Sequence, residues 1–280
     1  MIHLSPFFTA YFLILAAVIG SAMGSFVCCF AYRFLKGESV LKGRSKCDAC
    51  GHTLGFLDLV PVISYIALGG KCRYCKSRVS PVCLWSEVIT GAVFAACAYR
   101  FDITWKLFGI LVFVCVLLAI ALIDIESFTI PDRLIIIGIA AFALVLPFEK
   151  EPLKQLAGGL IGGGAVAAGL LALSVVFDKI TGKESLGGGD IKLFFVAGLF
   201  LGPLQNLLNL IFSCIAGIIF AFIYGKKHKN IQPDFESAAQ SDSENGMLKR
   251  PVPFGPAISV STVLTLLFGQ YISSWYMGLF

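Results

Sequence analysis

The chain has 280 residues, 58% of them hydrophobic and only 14% charged, with a mean hydropathy of +0.87. Soluble domains carry nearer a quarter charged residues, so a water-soluble globule is excluded. The net charge of +5 needs no nucleic acid, because Lys and Arg gathered on one side of a membrane with an anionic inner leaflet account for it.

Apolar runs of about 20 residues, each long enough for roughly 30 Å of hydrocarbon, predict an all-α polytopic membrane protein. Eight spans follow in chain order: 7–30, 82–100, 105–124, 131–148, 155–177, 189–203, 205–224 and 254–277. The sixth is short. No Lys or Arg precedes the first run, so it lacks the basic start of a secretory signal and reads as a permanent span. Eighteen of the 22 Lys and Arg fall on one side of this alternation, nine of them between spans one and two. That bias predicts both termini outside and the segment between spans one and two in the cytoplasm.

Three segments interrupt the spans. Residues 31–81 read as a polar, turn-rich cytoplasmic insert, residues 178–189 as a Gly-rich loop, and residues 225–252 as a flexible, Ser-rich linker. No internal repeat is visible. The fifth span carries Gly158, Gly159, Gly162, Gly163, Gly164 and Gly169, which suits close helix packing.

The insert contains Cys47-x2-Cys50 and Cys72-x2-Cys75, separated by 21 residues. Two such knuckles fit a tetrahedral, zinc-ribbon-like site. Four protein ligands leave no open position, so the zinc would be structural. A reducing cytoplasm argues against disulfides there. Cys28, Cys29, Cys83, Cys97, Cys115 and Cys214 lie in or beside spans and read as small apolar packers.

Two acids stand out. Asp124 ends the third span, and Asp190 opens the sixth directly after Gly187, Gly188 and Gly189. Carboxylates at a membrane edge are costly and point to function. Two of them meeting there would share a proton, as activation of water against a peptide bond requires. The alternative is a pair of interfacial acids matched with Lys192 and Arg133. Asp132 after Pro131 suits a helix start, whereas Glu126 is open to either reading.

These residues carry a resemblance. Gly187-Gly188-Gly189-Asp190-Ile191-Lys192 resembles the GxGD signature of the type IV prepilin peptidases, and Asp124 within Ile123-Asp124-Ile125-Glu126 resembles their first aspartate. Gly24-Ser25-Phe26, Arg33, the knuckles, Asp58, Pro61, Ser64-Tyr65, Gly70-Lys71-Cys72-Arg73, Ser80-Pro81, Glu87 and Pro253-Phe254-Gly255-Pro256 match in order. Where the family has Asn and Pro, this chain has Cys28 and Phe34. The resemblance implies a bifunctional enzyme in the plasma membrane of a prokaryote. It removes the basic leader of prepilins or pseudopilins at the cytoplasmic face, with Asp124 and Asp190 catalytic. It then methylates the new N-terminus with S-adenosylmethionine.

On that reading Gly187, Gly188, Gly189, Lys192 and Glu126 support the substrate or its loop. Glu87, Arg33 and Asp58 are methyltransferase candidates, and Cys47, Cys50, Cys72 and Cys75 hold zinc. Residues 1–100 form the methyltransferase part and 101–280 the peptidase. A presenilin-like intramembrane protease, a proton-coupled transporter and a non-enzymatic assembly scaffold are the rivals.

Overall fold

The computed structural model describes residues 6–39, 43–182, 186–229 and 253–278, which are helical apart from turns and two isolated β-bridges. Among the described residues there are nine α-helices: α1 (Pro6–Leu35), α2 (Ile63–Ala67), α3 (Pro81–Phe101), α4 (Trp105–Ser127), α5 (Asp132–Val145), α6 (Pro152–Thr181), α7 (Gly188–Leu201), α8 (Pro203–Lys229) and α9 (Gly255–Met277). The eight apolar runs became the eight longer helices. Six are long and apolar enough to cross a membrane. The other two, α5 and α7, have 14 residues each, about 21 Å of helix against about 30 Å of hydrocarbon. Helix α5 follows the Asp124 turn of α4, and α7 carries Asp190 in its own first turn.

Local chemistry sets the boundaries. Pro81 opens α3, and the Ser80 hydroxyl accepts the Val82 N–H at 3.3 Å. The Thr104 hydroxyl accepts the Leu107 N–H at the start of α4, a cap that satisfies an otherwise orphaned amide. The connection between α3 and α4 is therefore only residues 102–104, which makes them an antiparallel hairpin. Helix α8 continues to Lys229, past the predicted end of its span and into the expected linker. Residues 230–252 of that linker lie outside the described residues.

Helix α4 is the axis of the bundle and packs on α1, α3, α5 and α9. Ile110, Phe113, Leu117, Ile120 and Ile123 on it are all at most 1% exposed. Phe113 stacks on Phe200 with ring centroids 4.4 Å apart. Helices α1 and α3 approach backbone to backbone: a Cβ at Gly24 would lie 2.6 Å from the Ser86 carbonyl oxygen. This approach overturns one expectation. Cys28 and Cys83 are not separate apolar packers but form a disulfide, their Cα atoms 5.7 Å apart, within the span such a bond requires.

The α6 glycines divide by face. A Cβ at Gly163 would sit 2.4 Å from the Phe195 carbonyl oxygen, so α6 and α7 touch there through bare backbone, whereas Gly158, Gly164 and Gly169 face open space. Around this contact runs a ladder of buried polar groups. Asn206 Nδ2 donates to the carbonyls of Gly162 (2.9 Å) and Phe194 (3.1 Å). Asn209 Nδ2 donates to Thr262 Oγ1 at 3.1 Å, and the Ser259 hydroxyl donates to the Leu117 carbonyl at 3.1 Å. Together these bonds tie α6, α7, α8, α9 and α4. In lipid, where burying apolar groups does not drive helices together, such bonds and small-residue contacts define the packing.

Candidate active site and metal centre

Alternation of the helices brings the C-terminus of α4 and the N-termini of α7 and α9 to the same end of the bundle as the insert. Asp124 is 5% exposed on the penultimate turn of α4. Its Oδ2 accepts the backbone N–H of Gly255 at 2.8 Å, so the first residue of α9 aims its amide and the positive end of its helix at this carboxylate. The approach demands glycine, because a Cβ there would lie 2.8 Å from the same oxygen. Phe254 anchors the turn by packing where Gly217 of α8 has no side chain.

Asp190, half-buried in the first turn of α7, lies within electrostatic reach of Asp124. Gly187 is the N-cap of that helix and Gly188 faces open space. Gly189 lets α7 close on Ile130, whose Cβ a methyl group there would meet at 2.9 Å. Lys192 Nζ donates to Asp132 Oδ1 at 2.7 Å, tying α7 to the start of α5. The interfacial alternative therefore fails for Lys192, whose partner is Asp132. Glu126 is exposed on the last turn of α4, at the rim of this end of the bundle.

The insert is built from two matching knuckles. In each, the first Cys N–H bonds the carbonyl five residues on, Cys47 to His52 and Cys72 to Ser77, both at 2.8–2.9 Å. Lys46–Thr53 and Lys71–Arg78 close the two small antiparallel bridges. Gly51 and Lys76 take the same left-handed turn position with φ of +70° and +59°. A short duplication thus underlies the Cys spacing, where the sequence shows no repeat.

All four sulfurs lie within 4.8 Å of one another. Cys47 Sγ and Cys75 Sγ are 3.8 Å apart, matching the edge of about 3.8 Å that a tetrahedron with 2.3 Å zinc–sulfur bonds requires. The Cys50 backbone N–H aimed at its sulfur is the main reason the Cys47 thiol falls to about 6, whereas the Cys50 thiol in the same cluster is pushed up to about 11. The residues fit a closed four-sulfur site.

The three methyltransferase candidates all fasten this insert to the helices or to itself. Glu87, 7% exposed on α3, accepts the Val62 N–H on Oε2 at 2.7 Å, at the start of α2. Arg33 in the last turn of α1 donates to the Gly43 carbonyl. Asp58 bonds Arg73 Nε at 2.6 Å and accepts the Gly55 N–H and the Tyr74 hydroxyl. The Arg73 guanidinium holds the Asp58 carboxyl below its ordinary range.

Residues 18–101 match the bacterial peptidase A24 N-terminal domain, and residues 111–222 match the type IV leader peptidase family. Over 263 residues the chain is 32% identical to the prepilin leader peptidase/N-methyltransferase of Bacillus subtilis, covering 93% of this chain and 96% of that one. The chain belongs to the type IV leader peptidase family. Relatives of the same name from Pseudomonas aeruginosa (29% over 244 residues) and Aeromonas hydrophila (29% over 241 residues) each cover 84% of this chain and are covered to 74%. No solved structure gives a significant match. Within this leader peptidase two structural contacts escaped the sequence reading: the Gly255 amide on Asp124 and the Asn206–Asn209 ladder. The signal for the first was Pro253-Phe254-Gly255-Pro256, a glycine between prolines at the start of α9. The second was flagged by polar residues at helical spacing (206, 209, 213) inside an apolar run.

Proposed function

We propose that the protein is a membrane aspartic endopeptidase that removes the leader of prepilin-like proteins and then methylates the new N-terminus. The observation that carries the peptidase reading is the buried Asp124 carboxylate held by the Gly255 amide beside Asp190. The amide and the α9 N-terminus suit Asp124 to carry the negative charge. Asp124 therefore takes the proton of the attacking water, and Asp190 donates to the scissile carbonyl oxygen. The roles reverse as the tetrahedral intermediate collapses, when the proton on Asp124 passes to the leaving amine. Gly188, with open space above it, gives an extended substrate backbone room to approach.

Methylation belongs to the unit of residues 1–100, with S-adenosylmethionine as donor and 101–280 as the peptidase unit. Glu87, Arg33 and Asp58 serve it by holding the insert in place. Cys47, Cys50, Cys72 and Cys75 would hold a zinc ion, which would cross-link the two knuckles structurally. The protein sits in the plasma membrane with the insert and both aspartates facing the cytoplasm, as the Lys and Arg bias supports. The test is to incubate the purified protein with a prepilin and S-adenosylmethionine and to read intact mass. Loss of the leader together with a gain of one methyl is expected. A transporter or a scaffold leaves the substrate mass unchanged.

A further inference from the structure

Residues 56–68 read FLDLVPVISYIAL and carry a single charged residue, Asp58. That charge is paired with Arg73, and the Asp58 side chain is only 5% exposed. The apolar side chains are placed oppositely: Phe56 is 84% exposed, Leu57 69%, Ile63 67% and Ile66 68%. Soluble surfaces seldom leave so many large apolar side chains of one short segment in the open unless something covers them.

The height of this segment identifies the cover. Helix α3 has 21 residues, about 31 Å, which matches the hydrocarbon thickness and puts Pro81 near its boundary. Glu87 lies six residues further in, about 9 Å along the axis, with its side chain leaning back toward Pro81. Because Glu87 binds the Val62 N–H at 2.7 Å, the segment is held beside the first turns of α3, at the level of the membrane interface. Its backbone is paired as that setting requires, through Ser64 N–H to Val60, Ile66 N–H to Val62 and Leu68 N–H to Ser64. Above it opens a cleft of about 670 Å³ lined by Tyr65, Gly70, Lys71, Arg78 and Pro81. Its two cations stand opposite each other on one bridge, level with the start of α3.

We propose that this face of the insert docks on an anionic lipid surface. Phe56, Leu57, Ile63 and Ile66 enter the hydrocarbon edge, and Lys71 and Arg78 take lipid phosphates in the cleft. Apolar area combined with cations is the recognition chemistry of interfacial segments. The insert is then a monotopic element and not a domain standing in water.

The test uses the full-length protein in lipid nanodiscs, with a fluorescent amino acid at Phe56, at Ile66 or, as control, at Arg44, an exposed residue of the insert outside the 56–68 stretch. Both leaflets of a nanodisc share one composition, so the result does not depend on orientation or on catalytic activity. Lipids brominated in the acyl chain should quench the probes at 56 and 66 severalfold more than the probe at 44. Aqueous iodide should show the reverse order. Phosphatidylglycerol should strengthen quenching over phosphatidylcholine alone, and K71E/R78E should remove that difference. Probes at 56 and 66 that iodide reaches and brominated lipid does not would overturn the proposal. So would protection from both quenchers with energy transfer between labelled copies, which would assign the face to a second molecule. Quenching that ignores lipid charge would overturn the phosphate cleft.

Discussion

The two halves of this molecule solve the same problem, fixing polar groups in place, with opposite means. In the insert, charged side chains do it: Asp58 with Arg73, Lys36 and Tyr32 with Asp48, and four sulfurs around a metal-sized gap. In the bundle, neutral groups do it: Asn206, Asn209, Thr262 and Ser259 bond across helices that otherwise meet through glycine. The difference follows from the surroundings. Water screens an exposed ion pair, whereas hydrocarbon penalises any charge left alone and makes neutral donors the cheaper glue. Asp124, Asp190 and Glu87 depart from the bundle's rule, and for Asp124 and Glu87 the cost is met partly by a backbone amide.

If the comparison is sound, mutations should separate the halves. The largest effect belongs to Asp124→Asn and Asp190→Asn, each expected to lower leader cleavage at least about a thousandfold while the protein stays folded. Methyl transfer to a pre-cleaved pilin should survive in both. Near-normal cleavage in either variant would end the assignment of the pair. Next comes the metal. Purified protein should contain about one zinc per chain, and Cys47→Ser with Cys72→Ser should abolish it and loosen the insert. Retained zinc in that double variant would place the ligands elsewhere.

Gly255→Ala should follow. Its methyl group would press on Asp124 Oδ2 at 2.8 Å, and cleavage should fall about a hundredfold through displaced geometry. Substrate KM should stay near the parent value; a change confined to KM would deny the amide its role. Glu87→Gln should be milder, weakening methyl transfer severalfold and cleavage less. Equal loss of both activities in a folded variant would show that the halves are one functional unit.

The smallest effect is electrostatic. Arg73 lowers the folded-state titration of Asp58, so its stabilisation is complete above the unfolded value of about 3.9. It fades as pH falls through the lowered value. Asp58→Asn should flatten the acid limb of insert stability, measured by hydrogen exchange of residues 55–75.

How much of this was legible in the sequence depended on distance along the chain. Helices and knuckles are local patterns: apolar runs mark α1, α3 and α4, and the CxxC pairs mark the sulfur cluster. Asp124 and Asp190 stood out because each is an acid at the edge of an apolar run. Pairings across long separations did not show. Gly255 reaches Asp124 over 131 positions, and no periodicity encodes that. Cys28 read as a mere replacement for Asn, since its partner Cys83 becomes visible only once α1 and α3 close on Gly24. The apolar stretch 56–68 was averaged away inside an insert whose overall composition is polar.

The Cys28–Cys83 bond links residues 55 positions apart, and everything between them is the insert with its flanking turns. Topologically this closes the insert into a covalent loop carried between α1 and α3. A protease that nicks the loop anywhere between those cysteines severs the chain without separating it into pieces. The two fragments part on a denaturing gel only after a reductant opens the loop.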